Sequence, residues 1–595
     1  MRGSPSVATA ETRDSRSVSR LFPHASRALV LTSLSLLMQS PAPASTAVDQ
    51  ILVVTRTGAG ENNDADNPFQ FCSSPGLCWT LDNPAIDDLE LGRVDEFLLD
   101  VAPLTVGEIT EVTLRPAPGS GQDAWKPTCL AVLLDGDLLY CNDQLDDFIG
   151  SDPGDLAAFT DPNVTFQGCP GCYASVLTHG PMVGHTTSSS ARVWFRTASR
   201  LPVQILYGLQ PDLSDFALTA SHTTELDDDF TGVLDLEGLE PDSRYYYQVQ
   251  VDGVAESPPG ISLRTAPVAG GVFNVALGSC TREDVFAEQP IFQSIQTHEP
   301  EMLLMIGDNH YADTTDPARL DFFYRLSRGI TDRAVLLAVT PTWAVWDDHD
   351  FTGNDSLGSA PQKERSLAAF KRYWANPSYA TDGLDGIWSN IVWGDVEFFL
   401  LDGRYYRDDP NEPNPSLLGP DQLAWLLAGL DASTATFKVL VSGSQWTPSG
   451  STDSWASYDA EREAILDHVM ESGIAGVVLV SGDVHRAEVR RLRDRSSTTY
   501  PVWEFTSSPL ANTNASCPAS PSPPELLLFC EDATRYFGLL RFDTGSDPPR
   551  LTYETRDETD LLLHSVTLTL DELSLTVFAD GFESGDTSAW SNTVQ

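Results

Sequence analysis

The chain has 595 residues, more than one hydrophobic core accommodates, so several domains are expected. Its 85 acidic against 36 basic residues give a formal net charge of −49, which disfavours nucleic acid or an anionic membrane as a partner held by bulk charge and suits divalent cations. Hydrophobic residues make up an ordinary 41%, and beyond the N-terminal region no apolar run approaches the ~18 residues of a membrane-spanning helix.

Residues 1–47 read as a signal peptide. Arg2, Arg13, Arg16, Arg20 and Arg27 precede the apolar stretch Ala28 to Met38, and Ala42-Pro43-Ala44 fits a cleavage site between small residues. No adjacent arginine pair in this segment marks a twin-arginine route. The mature chain is therefore expected to be secreted or periplasmic. Nine cysteines in an exported chain imply disulfides with one thiol left over. Neighbour pairing would join Cys72 to Cys78, Cys129 to Cys141, Cys169 to Cys172 and Cys517 to Cys530, although connectivity stays open from sequence alone. Cys280 has no neighbour.

Over 49–150, Ile51–Val54, Glu96–Leu99, Glu111–Leu114 and Leu130–Leu134 read as short strands between Gly/Asn/Asp turns. The run CWTLDNPAIDDLELGRVDEF (Cys78 to Phe97), followed by DAW at Asp123–Trp125, resembles the PLAT/LH2 β-sandwich, which implies calcium, lipid or protein contact. A plain spacer is the alternative. CPGC (Cys169 to Cys172) punctuates a linker. Residues 173–267 then alternate apolar and polar, as in Ala191–Arg196. Leu236, Leu239, Pro241 and Tyr245 have the spacing of a corner where a tyrosine hydroxyl bonds nearby backbone. This stretch resembles a fibronectin type III sandwich, and GPMVGHTTSSSARVWFRT (Gly180 to Thr197) resembles the N-terminal domain of alkaline phosphatase D proteins.

From 271 to 565 the pattern changes. Apolar runs at Val272–Leu277, Met302–Ile306, Trp343–Trp346, Val396–Leu401, Lys438–Val441 and Gly476–Val480 alternate with helical stretches at Val285–Thr297, Pro317–Leu326, Lys363–Trp374, Gly419–Leu430 and Asp459–Glu471. Near-continuous apolar strands between helices predict an α/β fold with a sheet buried on both faces. From 497 the signals weaken, and 578–595 is a tail of no derived role.

The polar residues fall at the ends of these runs. They are Cys280; Asp308 with Tyr311; Asp347, Asp348, His349 and Asp350 with Asn354 beyond; Asp402 with Arg404; Gln445; and Asp483 with His485. Ligands of α/β sheets gather beyond the carboxyl ends of strands, so the six tips are expected to converge. Carboxylates and an amide carbonyl are hard oxygen donors, whereas a thiolate, a phenolate and an imidazole donate more charge. That mixture favours ferric iron beside calcium. Two such cations would lower the pKa of a water and clamp phosphoryl oxygens during in-line attack. Asp308 and Tyr311 could reach one ion, and Asp483 and His485, two apart, would point the same way from an extended tip. Arg404 and Gln445 read as supporting groups.

GSC, GDNHYADTT, WDDHDFTGND, LDGRYYR, LGPDQLAWL and SGDVH, with WEFTSSPL at Trp503 to Leu510, together resemble the alkaline phosphatase D (PhoD-like) metallophosphatases. The resemblance implies a four-layer α/β/β/α core behind two N-terminal β-sandwich domains. It also implies Fe3+ with Ca2+, and a phosphate mono- or diester as substrate. It makes Cys280, Asp308, Tyr311, Asp348, Asn354, Asp483 and His485 metal ligands. His349 and Asn354 become catalytic, and Asn354, Arg319 and Arg325 candidates for phosphate contact. Two departures stand out: Asp350 replaces a glutamate, and no arginine clearly matches the one that meets phosphate. The chain is expected to act as a monomer. The competing readings are a phospholipid-directed phosphodiesterase docked by its first sandwich, and a non-catalytic binding protein with a degenerate enzyme domain.

Overall fold

The computed structural model describes residues 47–575 apart from 58–68, 74–76, 82–93, 106–108, 110–111, 117–124, 126, 143–156, 160–171, 174, 382, 449–451, 494, 497 and 519–525. The expected signal peptide, save residue 47, and the tail at 578–595 lie outside them.

Residues 47–159 form two four-stranded sheets. One runs Val94–Thr105, Ala47–Thr57, Pro127–Leu134, Asp137–Asn142; the other Leu77–Leu81, Phe69–Ser73, Val112–Pro116, Ala157–Phe159. Alternation along Ala47–Thr57 divides its side chains between two cores. Ile51 and Val53 pack with Phe69, Phe71 and Trp125. Leu52 and Val54 turn the other way, into a cluster with Val193, Phe195 and Val203 of the next unit. In that unit, Leu177–Thr186, Ser190–Thr197 and Thr231–Glu237 form one sheet, and Pro202–Gly208 with Arg244–Val251 carry the other. Tyr245 accepts the backbone N–H of Glu240 through its hydroxyl at 3.0 Å.

Neighbour pairing of the cysteines holds for Cys72–Cys78 and Cys517–Cys530 but not for Cys129, which bonds to Cys172 across 43 residues. The close sequence neighbours of Cys129 were misleading because a sheet brings distant segments together; this bridge ties the first unit to the start of the second. Cys280 is free and buried.

A buried ion network reinforces that junction. Arg196 lies 2.8 Å from Glu96 and 2.9 Å from Asp229, and Arg325 on the helix Pro317–Gly329 lies 2.8 Å from Asp229. Tyr173 donates to Glu96 and Tyr373 to Asp229.

The rest is α/β, built on two mixed sheets. The first orders Thr342–Val345, Met302–Ile306, Val272–Gly278, Tyr536–Asp543, Arg550–Asp557, Leu562–Thr569, its first three strands parallel. The second orders Ser389–Trp393, Val396–Leu400, Phe437–Val441, Val477–Ser481, Trp503–Thr506, Ala487–Arg491, Leu526–Glu531, with four consecutive parallel strands from Val396–Leu400 to Trp503–Thr506. Phe398 and Phe437 of the second sheet meet Phe542 of the first, ring centres 6.0 and 5.7 Å apart. Phe399 points to the opposite face and meets Trp425 of the helix Gly419–Ala432 at 5.9 Å. Both faces of that strand are therefore covered, which is why it reads as a near-continuous apolar run broken only by Glu397.

The five expected helices are present, one of them shortened, while Thr331–Leu337 and the single turn Asp348–Phe351 were not expected. Val285–Thr297 contracts to Ile291–Gln296 because Pro290 disfavours helical backbone in the residue before it. No helix among the described residues is long and apolar enough to cross a membrane.

Candidate metal centre

The strand ends place the chemistry. Cys280 follows Val272–Gly278, Asp308 follows Met302–Ile306, Asp347 follows Thr342–Val345, and Asp483 and His485 follow Val477–Ser481. Cys280, Asp308, Asp483 and His485 all adopt left-handed backbone, φ 62°, 50°, 66° and 52°. Side-chain-bearing residues rarely adopt that conformation, and it persists only where the surroundings over-determine it. The tip at Asp483–His485 is thus turned back on itself, not extended as its spacing implied.

The thiol of Cys280 lies 3.4 Å from Asp308 Oδ2, and the Tyr311 hydroxyl lies 3.0 Å from the same oxygen and 3.1 Å from His485 Nε2. Among the described residues four overlapping groups bring candidate donor atoms within 4.8 Å of one another: Cys280, Asp308 and His485; Asp308, Asp348 and His349; Asp347, Asp453 and Asp483; Asp348, Asp355 and Asp453. Asp308 is shared by the first two groups. Arg404 is wholly buried; it donates to Asp347 at 2.5 Å and with both ends of its fork to Asp453 at 2.9 and 2.6 Å. Asp453 also lies 2.6 Å from Arg407.

These carboxylates do not suit one another in isolation. Burial first, then Asp348 and Asp347, push Asp308 far above the ordinary carboxylate range, and burial with Asp347 and Asp453 does the same to Asp483. Burial lifts Asp347 to about 6, against the pull of Arg404, and Asp350 to about 7. Asp348 moves down: burial opposes, but Arg404, His349 and the Asp355 N–H hold it ionised. The Cys280 thiol and Tyr311 phenol are pushed up by burial and by Asp308. His485 is lowered to about 4, by burial first, and so is a neutral imidazole near neutral pH. Asp308 Oδ1 and Asp347 Oδ2 are buried without any hydrogen-bond partner. Orphaned carboxylate oxygens beside a thiol, a phenol and a neutral imidazole form a donor set that fits cations, which would reverse each of these upward shifts.

Of the residues expected from sequence, Cys280, Asp308, Tyr311, Asp348, His349, Asp483 and His485 are brought together. His349 Nδ1 lies 2.5 Å from Asp313 Oδ1, and its ring packs on Tyr311, centres 4.1 Å apart. The Asp313 hydrogen bond raises the His349 pKa against its burial. Asn354 is exposed, and the next residue, Asp355, donates its N–H to Asp348 at 2.6 Å. The two arginines expected at phosphate are engaged elsewhere. Arg319 donates to the Ala312 carbonyl at 2.6 Å and stacks over Phe323, and Arg325 is held in the interunit network. Their positions on a helix after the Asp308 tip gave no sign of these partners. Asp350 braces the tips, accepting the N–H of Asn309 at 2.9 Å and of Asp347 at 3.0 Å. Gln445 supports from behind, 2.7 Å from Glu488.

Sequence reasoning missed Asp453, which follows no apolar run. It also missed Arg282, two residues past Cys280, whose guanidinium lies 5.7 Å from the Tyr311 ring centre, and the Ser508 and Asn512 side chains that touch Cys280 and His485.

Residues 275–524 match the family model of PhoD-like phosphatases, and residues 174–267 match a domain of unknown function, DUF7800, where a fibronectin-like sandwich was expected. The chain is 26% identical over 310 residues to alkaline phosphatase D of Bacillus subtilis (strain 168), a match covering 42% of this chain and 52% of that relative, so the chain spans about half the relative's length. A solved structure described as that of PhoD superposes with TM-score 0.57 at 19% identity, covering 66% of this chain and 90% of the other, which is a likeness of fold.

Proposed function

We propose that the protein is an exported, metal-dependent phosphoesterase that hydrolyses phosphate mono- or diesters. The observation that carries this reading is the convergence of Cys280, Asp308, Tyr311 and His485 around a buried carboxylate with an orphaned oxygen. The match of residues 275–524 to PhoD-like phosphatases supports it. The two facing sheets with helices outside them fit a four-layer α/β/β/α core, and the disulfides fit an oxidising compartment.

The charge-donating set Cys280, Asp308, Tyr311 and His485 suits Fe3+, and the oxygen-rich set Asp347, Asp348, Asp453 and Asp483 suits Ca2+, with the Asn354 amide, one residue before Asp355, as the further ligand the sequence suggests. When bound, such ions supply Lewis acidity, lowering the pKa of a water and neutralising phosphoryl oxygens. The protein's own residues do the rest. Asp308 of the first set also lies within reach of Asp348 of the second, and so links the two. Arg404 and Ser444 orient Asp347, through hydrogen bonds of 2.5 and 3.2 Å to the same oxygen. Asp313 accepts from His349 Nδ1 and, with Asp348, favours the imidazolium against burial, and that doubly protonated ring can give its Nε2 proton to the departing alkoxide oxygen. Arg282, paired with Asp284 at 3.1 Å and 5.7 Å from the Tyr311 ring centre, is the cation beside this set that could meet the incoming anion.

The test is hydrolysis of p-nitrophenyl phosphate and its bis-ester together with elemental analysis. Activity should accompany bound metal and disappear on chelation and in Asp308→Ala. Undiminished turnover in that variant, with no metal bound, removes the proposal.

A further inference from the structure

The backbone conformations at Cys280 and His485 need something to hold them, and one segment touches both. Residues 507–517 leave the strand Trp503–Thr506 and run between the two tips. Leu510 and Ala511 donate their N–H groups to the carbonyls of Ser279 and Cys280 at 2.8 and 3.1 Å, and the Ala511 carbonyl accepts from Arg282 at 2.9 Å. Further on, Ala515 donates to the His485 carbonyl at 2.9 Å. Two side chains of the segment add to this. Ser508 Oγ lies 3.2 Å from Cys280 Sγ and accepts the His485 N–H at 3.1 Å, so one hydroxyl fixes both tips. Asn512 Nδ2 lies 3.4 Å from His485 Nε2. The segment ends at Cys517, which is bonded to Cys530 on the strand Leu526–Glu531. That strand pairs with Ala487–Arg491, whose first residue is two beyond His485. The disulfide therefore closes a loop of chain that returns to the tip it supports.

We infer that residues 507–517 are a positioning strap for the metal centre, with Ser508 and Asn512 setting Cys280 and His485, and with the Cys517–Cys530 disulfide locking the strap in place. This rests on the metal-dependent reading above. A left-handed residue whose side chain must meet partners from other strands tolerates little backbone freedom, and partners of metal-ligating groups typically govern affinity by about ten- to a hundredfold.

The experiment uses the full mature protein. A Cys517→Ser/Cys530→Ser variant is compared with Cys72→Ser/Cys78→Ser, which opens a disulfide far from the site in sequence. Amide hydrogen exchange at Leu510, Ala511 and Ala515, and metal loss to a chelator, should both accelerate at least about tenfold in the first variant and stay as in the parent in the second. Ser508→Ala should lose metal faster, with Ser508→Thr restoring retention; this pair decides the matter if the double variant does not fold. Unchanged exchange along the strap, equal effects from both disulfides, or a threonine no better than alanine overturns the inference. A parent protein that purifies without metal and hydrolyses nothing defeats the functional reading instead, and exchange still reads the strap by itself.

Discussion

At Asp308 one carboxylate oxygen faces a thiol and a phenol while the other has no partner in the protein. Such a group destabilises the fold unless a cation neutralises it. Asp308→Asn should therefore raise the melting temperature of the chelated protein while lowering metal content and hydrolysis by about a hundredfold or more, which calorimetry and elemental analysis would separate. Glu283 gives a second, pH-dependent case. Burial lifts it from 4.5 to about 7, more than its partner Arg333 at 2.7 Å offsets. The folded chain then binds a proton that the unfolded chain releases, so this group's contribution to stability is full below pH 4.5 and is lost as pH rises to about 7. Glu283→Gln should flatten that decline in denaturation midpoints of metal-free protein measured across the interval.

The elements explain how the tips come so close. Gly443, after Phe437–Val441, sits where an added Cβ would lie 2.7 Å from Asp347 Cγ. Gly443→Ala should thus displace Asp347, reducing metal retention and turnover well before it lowers the melting temperature; parallel losses of all three would count against the packing argument. Much of this layer was legible in sequence. Met302–Ile306 and Val477–Ser481 are buried along their length, and their polar tips followed directly. The C-terminal strands were not read, although Arg550–Asp557 alternates buried and half-buried residues cleanly. Tyr536–Asp543 takes its place beside Val272–Gly278, a pairing made across most of the domain that no local pattern announces. The centre shows the same division. Residues at the ends of apolar runs were found, whereas Asp453 arrives on a loop and Arg325 left for a partner in another unit.

On the scale of the molecule, Arg196 binds Glu96 of the first unit and Asp229 of the second, and Arg325 adds the α/β unit through Asp229. Arg196→Met should cost about 3–5 kcal/mol by leaving buried carboxylates uncompensated, read as a shifted urea midpoint, with hydrolysis at 25 °C little changed. Sequence could assign sandwiches to these regions but not their dependence on one another, because that is written in which face of a strand meets which neighbour. The strand Ala47–Thr57 makes the point sharpest, with Ile51 and Val53 turned inward and Leu52 and Val54 turned to the next unit. Excising the front end would not yield a trimmed, self-standing remainder; it would bare a greasy wall on each fragment. Swapping or tagging at that seam invites clumping, so a fusion should respect it as one would a core.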